Sequence, residues 1–127
     1  MAIPIQPSLT LTPTESWTSA PVAGATDGAN LYLYLAELDS GQSVSLRLIT
    51  YDAFGNGYFY GPARAALTAS GQYLYVVKPG AGVTGGAIPA DGAINLPIPD
   101  SYAVQLSFGD TTGAKAVTFS LSAGEKA

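Results

Sequence analysis

Apolar and polar residues alternate along most of this chain with a period of two, which is the period of a β-strand. Glycines and prolines interrupt the alternation at short intervals, as they do at turns between strands. The pattern predicts about eight strands, near residues 8–12, 29–38, 43–51, 58–69, 72–78, 93–98, 101–108 and 115–122. Short strands at this spacing predict an all-β fold, a single antiparallel β-sandwich of either immunoglobulin-like or jelly-roll type.

The segment SYAVQLSF is the clearest strand, because its large residues all fall on one face: Tyr102, Val104, Leu106 and Phe108. The segment AVTFSLS, which begins at Ala116, alternates in the same way. The turn-like stretch GDTTGA lies between the two, so they are expected to pair as an antiparallel hairpin.

Two segments lack the strand pattern over all or part of their length. Residues 1–14 contain three prolines that lack a backbone donor, and they are predicted to form an extended arm that includes the first strand. Residues 79–92 are predicted to form a long Gly-rich loop. This loop contains a G-x-G-x-x-G match at Gly80–Gly85, but no helix can follow it, so a dinucleotide site is not expected.

The stretch LITYDAFGNGYFYGPARAAL carries the strongest turn signal, the pair Asn56-Gly57. A two-residue turn there would place Phe54 opposite Phe59 and assign both rings to the core. The opposite face would then carry Arg47, Tyr51, Tyr58, Tyr60 and Arg64. Such a face is typical of protein interfaces, where Tyr and Arg are enriched and Lys and Glu are depleted.

The strand NLYLYLAEL repeats this arrangement. Its leucines are predicted to point inward, whereas Tyr32 and Tyr34 are predicted to point outward. The alternative explanation for both faces is that tyrosine favours strands and tolerates water at its hydroxyl, or that a loop covers it.

The amino-acid composition excludes several kinds of active site. The chain has 127 residues, which fits one domain, and it contains no cysteine and no histidine. Disulfides, thiolate nucleophiles and the usual general base are therefore excluded, and we expect a non-enzymatic protein without a cofactor or metal. Asp52 and Asn56 could offer a few oxygen ligands to calcium, but calcium takes about 6–8 oxygens.

Charge is scarce: 11% of the residues are charged, against about 25% in an ordinary globular protein. The net charge is −4 and the five basic residues are scattered, so binding to nucleic acid or to a membrane surface is not expected. The N-terminus lacks the positive region of a signal peptide, and no apolar stretch of about 20 residues could span a bilayer.

Several of these features together resemble the small head decoration (cement) proteins of tailed bacteriophages. The resemblance is carried by an all-β chain without Cys or His, by the proline-studded segment MAIPIQPSLTLTP, by a Gly/Ala/Thr-rich texture and by outward tyrosines. It implies a virion protein, made in the host cytoplasm, that binds the major capsid protein and itself, with a trimer favoured. The candidate interface residues are Ile3, Pro4, Ile5, Pro7, Tyr32, Tyr34, Arg47, Tyr51, Tyr58, Tyr60 and Arg64.

A second hypothesis is a carbohydrate-binding or adhesin-type module. LITYDAFGN is similar to a strand and turn of bacterial immunoglobulin-like repeats. In this hypothesis exposed tyrosines and Trp17 would stack on sugar rings, while Asp52, Asn56 or Arg64 would bond to sugar hydroxyls.

Overall fold

The computed structural model describes residues 2–11, 16–24, 28–38, 41–61, 63, 66–80, 92–109 and 116–126. The regular secondary structure of these residues consists of strands, and they include no helix. The strands are β1 (Ala2–Leu11), β2 (Ser16–Thr18), β3 (Val22–Ala23), β4 (Gly28–Glu37), β5 (Ser43–Tyr51), β6 (Gly57–Tyr60), β7 (Gly71–Val77), β8 (Gly92–Ile94), β9 (Ser101–Gly109) and β10 (Val117–Lys126). The predicted all-β class is confirmed.

The strands build two sheets. Sheet A has the order β1-β10-β4-β7-β8, and sheet B has the order β2-β9-β5-β6, with β3 also paired to β9. All of these pairings are antiparallel except that of β7 with β8. The two sheets share one hydrophobic core, so the predicted sandwich is confirmed.

The order of pairing identifies the topology. β1 pairs with β10, β2 and β3 with β9, β4 with β7, and β5 with β6, so that the pairs are nested like the two arms of one long hairpin. Rolling such a nested hairpin into two facing sheets gives a jelly roll. Of the two sandwich types that the sequence left open, the structure therefore has the jelly roll.

The core lies between the inward faces of the strands and follows the alternation seen in the sequence. In β4 the three leucines are buried and the two tyrosines between them are exposed. In β9 all four large residues predicted to share a face are buried. The largest fully buried side chains are Tyr75, Tyr102, Phe119, Leu31, Leu33, Leu35, Leu46, Leu48 and Leu67.

The N-terminal segment is extended as predicted, but it is not a free arm. It forms β1 over its whole described length, and pairing with β10 already begins at Ala2 opposite Gly124 rather than near residue 8. The prolines are compatible with this because β1 is an edge strand, where one side needs no donor. Register shifts between Pro4 and Gln6 and between Gln6 and Leu9 accommodate them.

The expected hairpin of SYAVQLSF with AVTFSLS is wrong. The first segment is β9 of sheet B, and the second belongs to β10 of sheet A. Alternation predicts which face of a strand is buried, but both sheets bury one face against the same core, so the pattern does not reveal the partner strand. β9 ends at Gly109 in sheet B and β10 begins at Val117 in sheet A, and residues 110–115 between them lie outside the described residues.

Candidate protein-interaction surfaces

The loop between β5 and β6 is organised by one carboxylate. Oδ1 of Asp52 accepts hydrogen bonds from the backbone N–H groups of Phe54 and Asn56, each at 2.9 Å. Oδ2 accepts from the side-chain amide of Asn56 at 3.0 Å and from the hydroxyl of Tyr58 at 2.9 Å. These donors, the Asn56 side chain foremost, stabilise the charged form and lower the pKa of Asp52 to about 2.

The same loop shows why the predicted two-residue turn is wrong. The N–H of Gly55 bonds to the carbonyl of Asp52 at 3.2 Å, and Gly55 has a φ of 84°. Asp52 and Asn56 face each other, so three residues connect the strands, as in a type I turn followed by a left-handed glycine. Asp at the first turn position and Gly at the fourth are the signature of this turn, and DAFG contains both.

The changed turn shifts the register by an odd number of residues, which moves side chains to the opposite face. Ile49 faces Phe59, and Leu48 faces Tyr60. Phe54 and Phe59, both predicted to be core residues, are 91% and 61% exposed. Those two assignments are therefore corrected.

Tyr60 is predicted to point outward with Tyr51 and Arg47, and this placement is also wrong. It packs against the core beside its cross-strand neighbour Leu48. Its hydroxyl donates a 2.6 Å hydrogen bond to the carbonyl of Pro97, and burial raises the pKa of the phenol. Tyr60 thus anchors β6 to the segment that leads into β9.

The first candidate surface, which we call the hairpin surface, consists of Arg47, Ile49, Tyr51, Phe54 and Phe59, with Phe54 at the tip of the loop. Tyr58 pairs with Thr50, so it lies on the other face of β6 from Phe59. Its predicted place on one face with Arg47 and Tyr51 is therefore wrong, although Tyr58 is 54% exposed. The guanidinium carbon of Arg47 lies 4.2 Å from the ring centroid of Phe59, which is a cation–π contact. Nε of Arg47 also donates to the carbonyl of Gly61 at 3.3 Å.

A groove of about 280 Å³ runs along the hairpin surface, bounded by Ile49, Tyr51, Phe59 and Gln105. Its floor depends on Gly57, since a Cβ at this position would come within 3.1 Å of Cγ2 of Ile49. Arg47 and Tyr51 therefore lie where the sequence predicted them, on the outer side of sheet B. Polar and apolar groups share the lining of this groove in similar measure.

The second candidate surface, the tyrosine face, is the outer side of sheet A: Asn30, Tyr32, Tyr34, Gln72, Leu74, Val76, Ser120 and Ser122. Tyr32 is 42% and Tyr34 48% exposed, which confirms that both point outward. Leu74 is opposite Tyr32, and it is 37% exposed. These side chains bound a groove of about 360 Å³. The sequence analysis does not single out Leu74, although the alternation in GQYLYVV places Leu74 on the other face of the strand from the buried Tyr75.

The ring of Tyr32 is held in place on this face. Its hydroxyl accepts a hydrogen bond from the side-chain amide of Asn30 at 3.3 Å. The ring also lies over Gly124, where a Cβ would come within 3.3 Å of Cε2. An aromatic ring that covers a strand glycine in this way shields the glycine's backbone.

The N-terminal candidates are not brought together with either surface as a group. Pro4 is exposed on β1 opposite Ser122, and Pro7 is exposed where the register shifts. Ile5 is partly buried against the core. Ile3 pairs with Ala123, and its side chain lies outside the described part of the structure.

Other predicted features also lie outside the described residues: Arg64, and residues 81–91 of the Gly-rich loop. Within the described ranges, no three acidic, histidine or cysteine side chains come together as a metal site. None of those residues forms a helix long and apolar enough to cross a membrane.

Three of the residues proposed for sugar binding make contacts within the chain. The ring of Trp17 packs edge-on against the core residue Phe119, with a centroid distance of 4.9 Å and an angle of 68°. Both oxygens of Asp52 and the side chain of Asn56 serve the hairpin loop. The observed contacts of Trp17, Asp52 and Asn56 do not favour the carbohydrate hypothesis.

Comparison with known proteins gives no family: neither protein-family models nor curated proteins match this chain.

Proposed function

We propose that this protein is a structural protein that binds another protein through its hairpin surface. The observation that carries the proposal is the position of Phe54, 91% exposed at the tip of a loop whose conformation is fixed by the hydrogen bonds to Asp52. Because the backbone that carries Phe54 is already held by these hydrogen bonds, the loop loses little backbone freedom when the ring docks, and this favours affinity.

The surroundings of Phe54 support a protein partner. Exposed aromatic side chains and a partly desolvated arginine are the residue types that dominate binding energies at protein interfaces. The two charged groups of this region already have partners, Arg47 on Phe59 and Asp52 in the loop. Both charged groups thus enter a contact with part of their interactions already made within the chain.

The specific form of the proposal is a capsid decoration protein, which binds the major capsid protein on the outside of a viral head and stabilises the lattice. Three features support it: the resemblance to phage cement proteins, the low charge of the chain and the aromatic hairpin. The jelly roll is compatible with this role but does not select it, because viral capsid domains and lectins share this fold.

The test uses the virus whose gene cluster encodes the chain. Heads assembled without this protein are incubated with the purified protein, and binding is followed by cosedimentation. We expect saturable binding, weakened at least about 30-fold by Phe54→Ser, as for an interface hot spot. Thr68→Ser, at an exposed position outside both surfaces, is the matched control and should bind like wild type.

Two results would contradict the proposal. One is a coding gene that lies in a cluster without capsid or portal genes, together with heads that do not bind the protein. The other is binding that Phe54→Ser leaves unchanged, which would separate the hairpin surface from the docking contact.

A further inference from the structure

We infer that the tyrosine face is covered by a second copy of this chain, in a two-fold dimer that packs sheet A against sheet A. The inference goes beyond the proposed function, because it concerns the opposite sheet and a different partner. It is carried by the charge, the size and the shape of this face.

Charge is the first argument. The whole chain carries a net charge of −4, so two copies repel each other over most of their surfaces. The outward residues of the stretches 30–34, 72–76 and 120–124 include no charged side chain. Glu37 is exposed, but it lies at the last position of β4. Two tyrosine faces can therefore meet without burying a charge.

The polar groups of this face can also be satisfied in such a contact. Tyrosine and serine hydroxyls both donate and accept, and so does the amide of Gln72. Because the two faces are identical, each hydroxyl of one copy can find a hydroxyl or amide of the other. An apolar partner would leave these groups without hydrogen bonds, which costs about 1–3 kcal/mol for each buried group.

The size of the face is the second argument. The tyrosine face continues from β10 onto β1, where Pro4 lies opposite Ser122. With β1 included, four strands at a spacing of about 4.8 Å, each seven to ten residues long, give the outer side of sheet A a projected area of roughly 500–600 Å². Stable interfaces bury from about 600 Å² per partner upward, so the dimer uses nearly the whole outer side of the sheet.

The shape of the face is the third argument. Tyr32, Tyr34 and Leu74 stand beside a groove of about 360 Å³ whose other wall includes the small side chains of Ser120 and Ser122. In a two-fold contact, the projecting rings of one copy meet the groove of the other, and the reverse contact forms by symmetry. The face thus offers both the projecting side chains and the groove that such a contact needs.

Two copies, and not three, follow from this geometry. A contact between two identical patches is complete in a dimer and leaves neither patch free for a third chain. A ring of three would need two different complementary patches on each chain. The trimer favoured by the resemblance would therefore require a contact other than the tyrosine face.

The test measures the mass of the full-length protein in solution by sedimentation equilibrium, up to about 100 µM, where a dimer with a Kd near 1 µM is almost fully formed. We expect a dimer for wild type. Tyr34→Glu should weaken the dimer at least about 30-fold, because it places a charge in the contact. Leu74→Glu should do the same, and it serves if Tyr34→Glu fails to fold. Phe59→Glu, on the hairpin surface, is the matched control and should remain dimeric.

A monomeric or trimeric wild type would overturn the inference, and so would a dimer that Phe59→Glu dissociates while Tyr34→Glu does not. These outcomes are distinct from those of the docking test. A dimer that fails to bind heads would contradict only the proposed function, and a monomer that binds heads would contradict only the dimer.

Discussion

The hydroxyl of Tyr58 donates a 2.9 Å hydrogen bond to Oδ2 of Asp52, so the second strand of the hairpin is tied to the first residue of its own turn. Three other donors meet the same carboxylate, two backbone N–H groups and the amide of Asn56. The charged carboxylate therefore holds the loop that presents Phe54.

Acid should loosen this loop. The pKa of Asp52 is about 2 in the folded protein and 3.8 in the absence of these contacts. Because the folded-state pKa is lowered, the contribution of Asp52 to stability is present above pH 3.8 and is lost as the pH falls toward 2. NMR titration of the Asp52 carboxyl carbon should give a midpoint near 2.

The matched variant for this prediction is Asp52→Asn, which keeps the size of the side chain and removes its titration. The stability difference between wild type and the variant, from urea unfolding, should shrink as the pH is lowered through this range. An Asp52 that titrates near 3.8 would show that the loop hydrogen bonds do not persist in solution.

The sequence predicted the buried faces of the long strands well, because there a strict alternation has only one inward set. In β9 the four predicted inward residues, Tyr102, Val104, Leu106 and Phe108, are all buried, and on the other face only Ala103 is buried as well. In β4 the same holds for Leu31, Leu33 and Leu35. Burial of one face is enough to produce such a pattern, whatever strand lies alongside.

The hairpin could not be predicted in the same way, because its faces depend on the length of the turn. Asn56-Gly57 and Asp52-x-x-Gly55 are both turn signals, and they differ by an odd number of residues in register. Phe54, Phe59 and the tyrosines do not decide between them, since aromatic residues suit either face of a strand. The hydrogen bonds of Asp52 decide, and sequence alone does not show them.

Stability measurements should separate the two classes of phenylalanine. Phe54→Ala should change the free energy of unfolding by no more than about 0.5 kcal/mol, because the ring is 91% exposed. Phe119→Ala should cost about 3–5 kcal/mol, because it empties a site that is 1% exposed. Urea unfolding of both variants checks this. A large loss for Phe54→Ala would place its ring in the core, as the two-residue turn predicts.

The stability cost of replacing Gly55 should depend on how readily the new residue adopts a positive φ, and not on its volume. Its φ of 84° lies in the left-handed region, and nothing lies within 4 Å of a Cβ built there. Gly55→Ala should therefore cost about 1 kcal/mol through backbone strain alone, and Gly55→Asn should cost less, because asparagine adopts this conformation more readily. Chemical denaturation gives both values. Equal stability of Gly55→Ala and wild type would mean that this turn is not formed.

Trp17 is the only tryptophan of the chain, and it therefore reports on its surroundings without interference. Its ring packs edge-on against Phe119 at 4.9 Å and is partly buried against the core. Trp17→Ala should cost about 2–3 kcal/mol, less than full burial would predict, and Trp17→Phe should recover part of it. Because the ring faces the core, the fluorescence of Trp17 should not change when soluble oligosaccharides are added. Saturable quenching of Trp17 fluorescence by a sugar would contradict the observed packing and support the carbohydrate hypothesis.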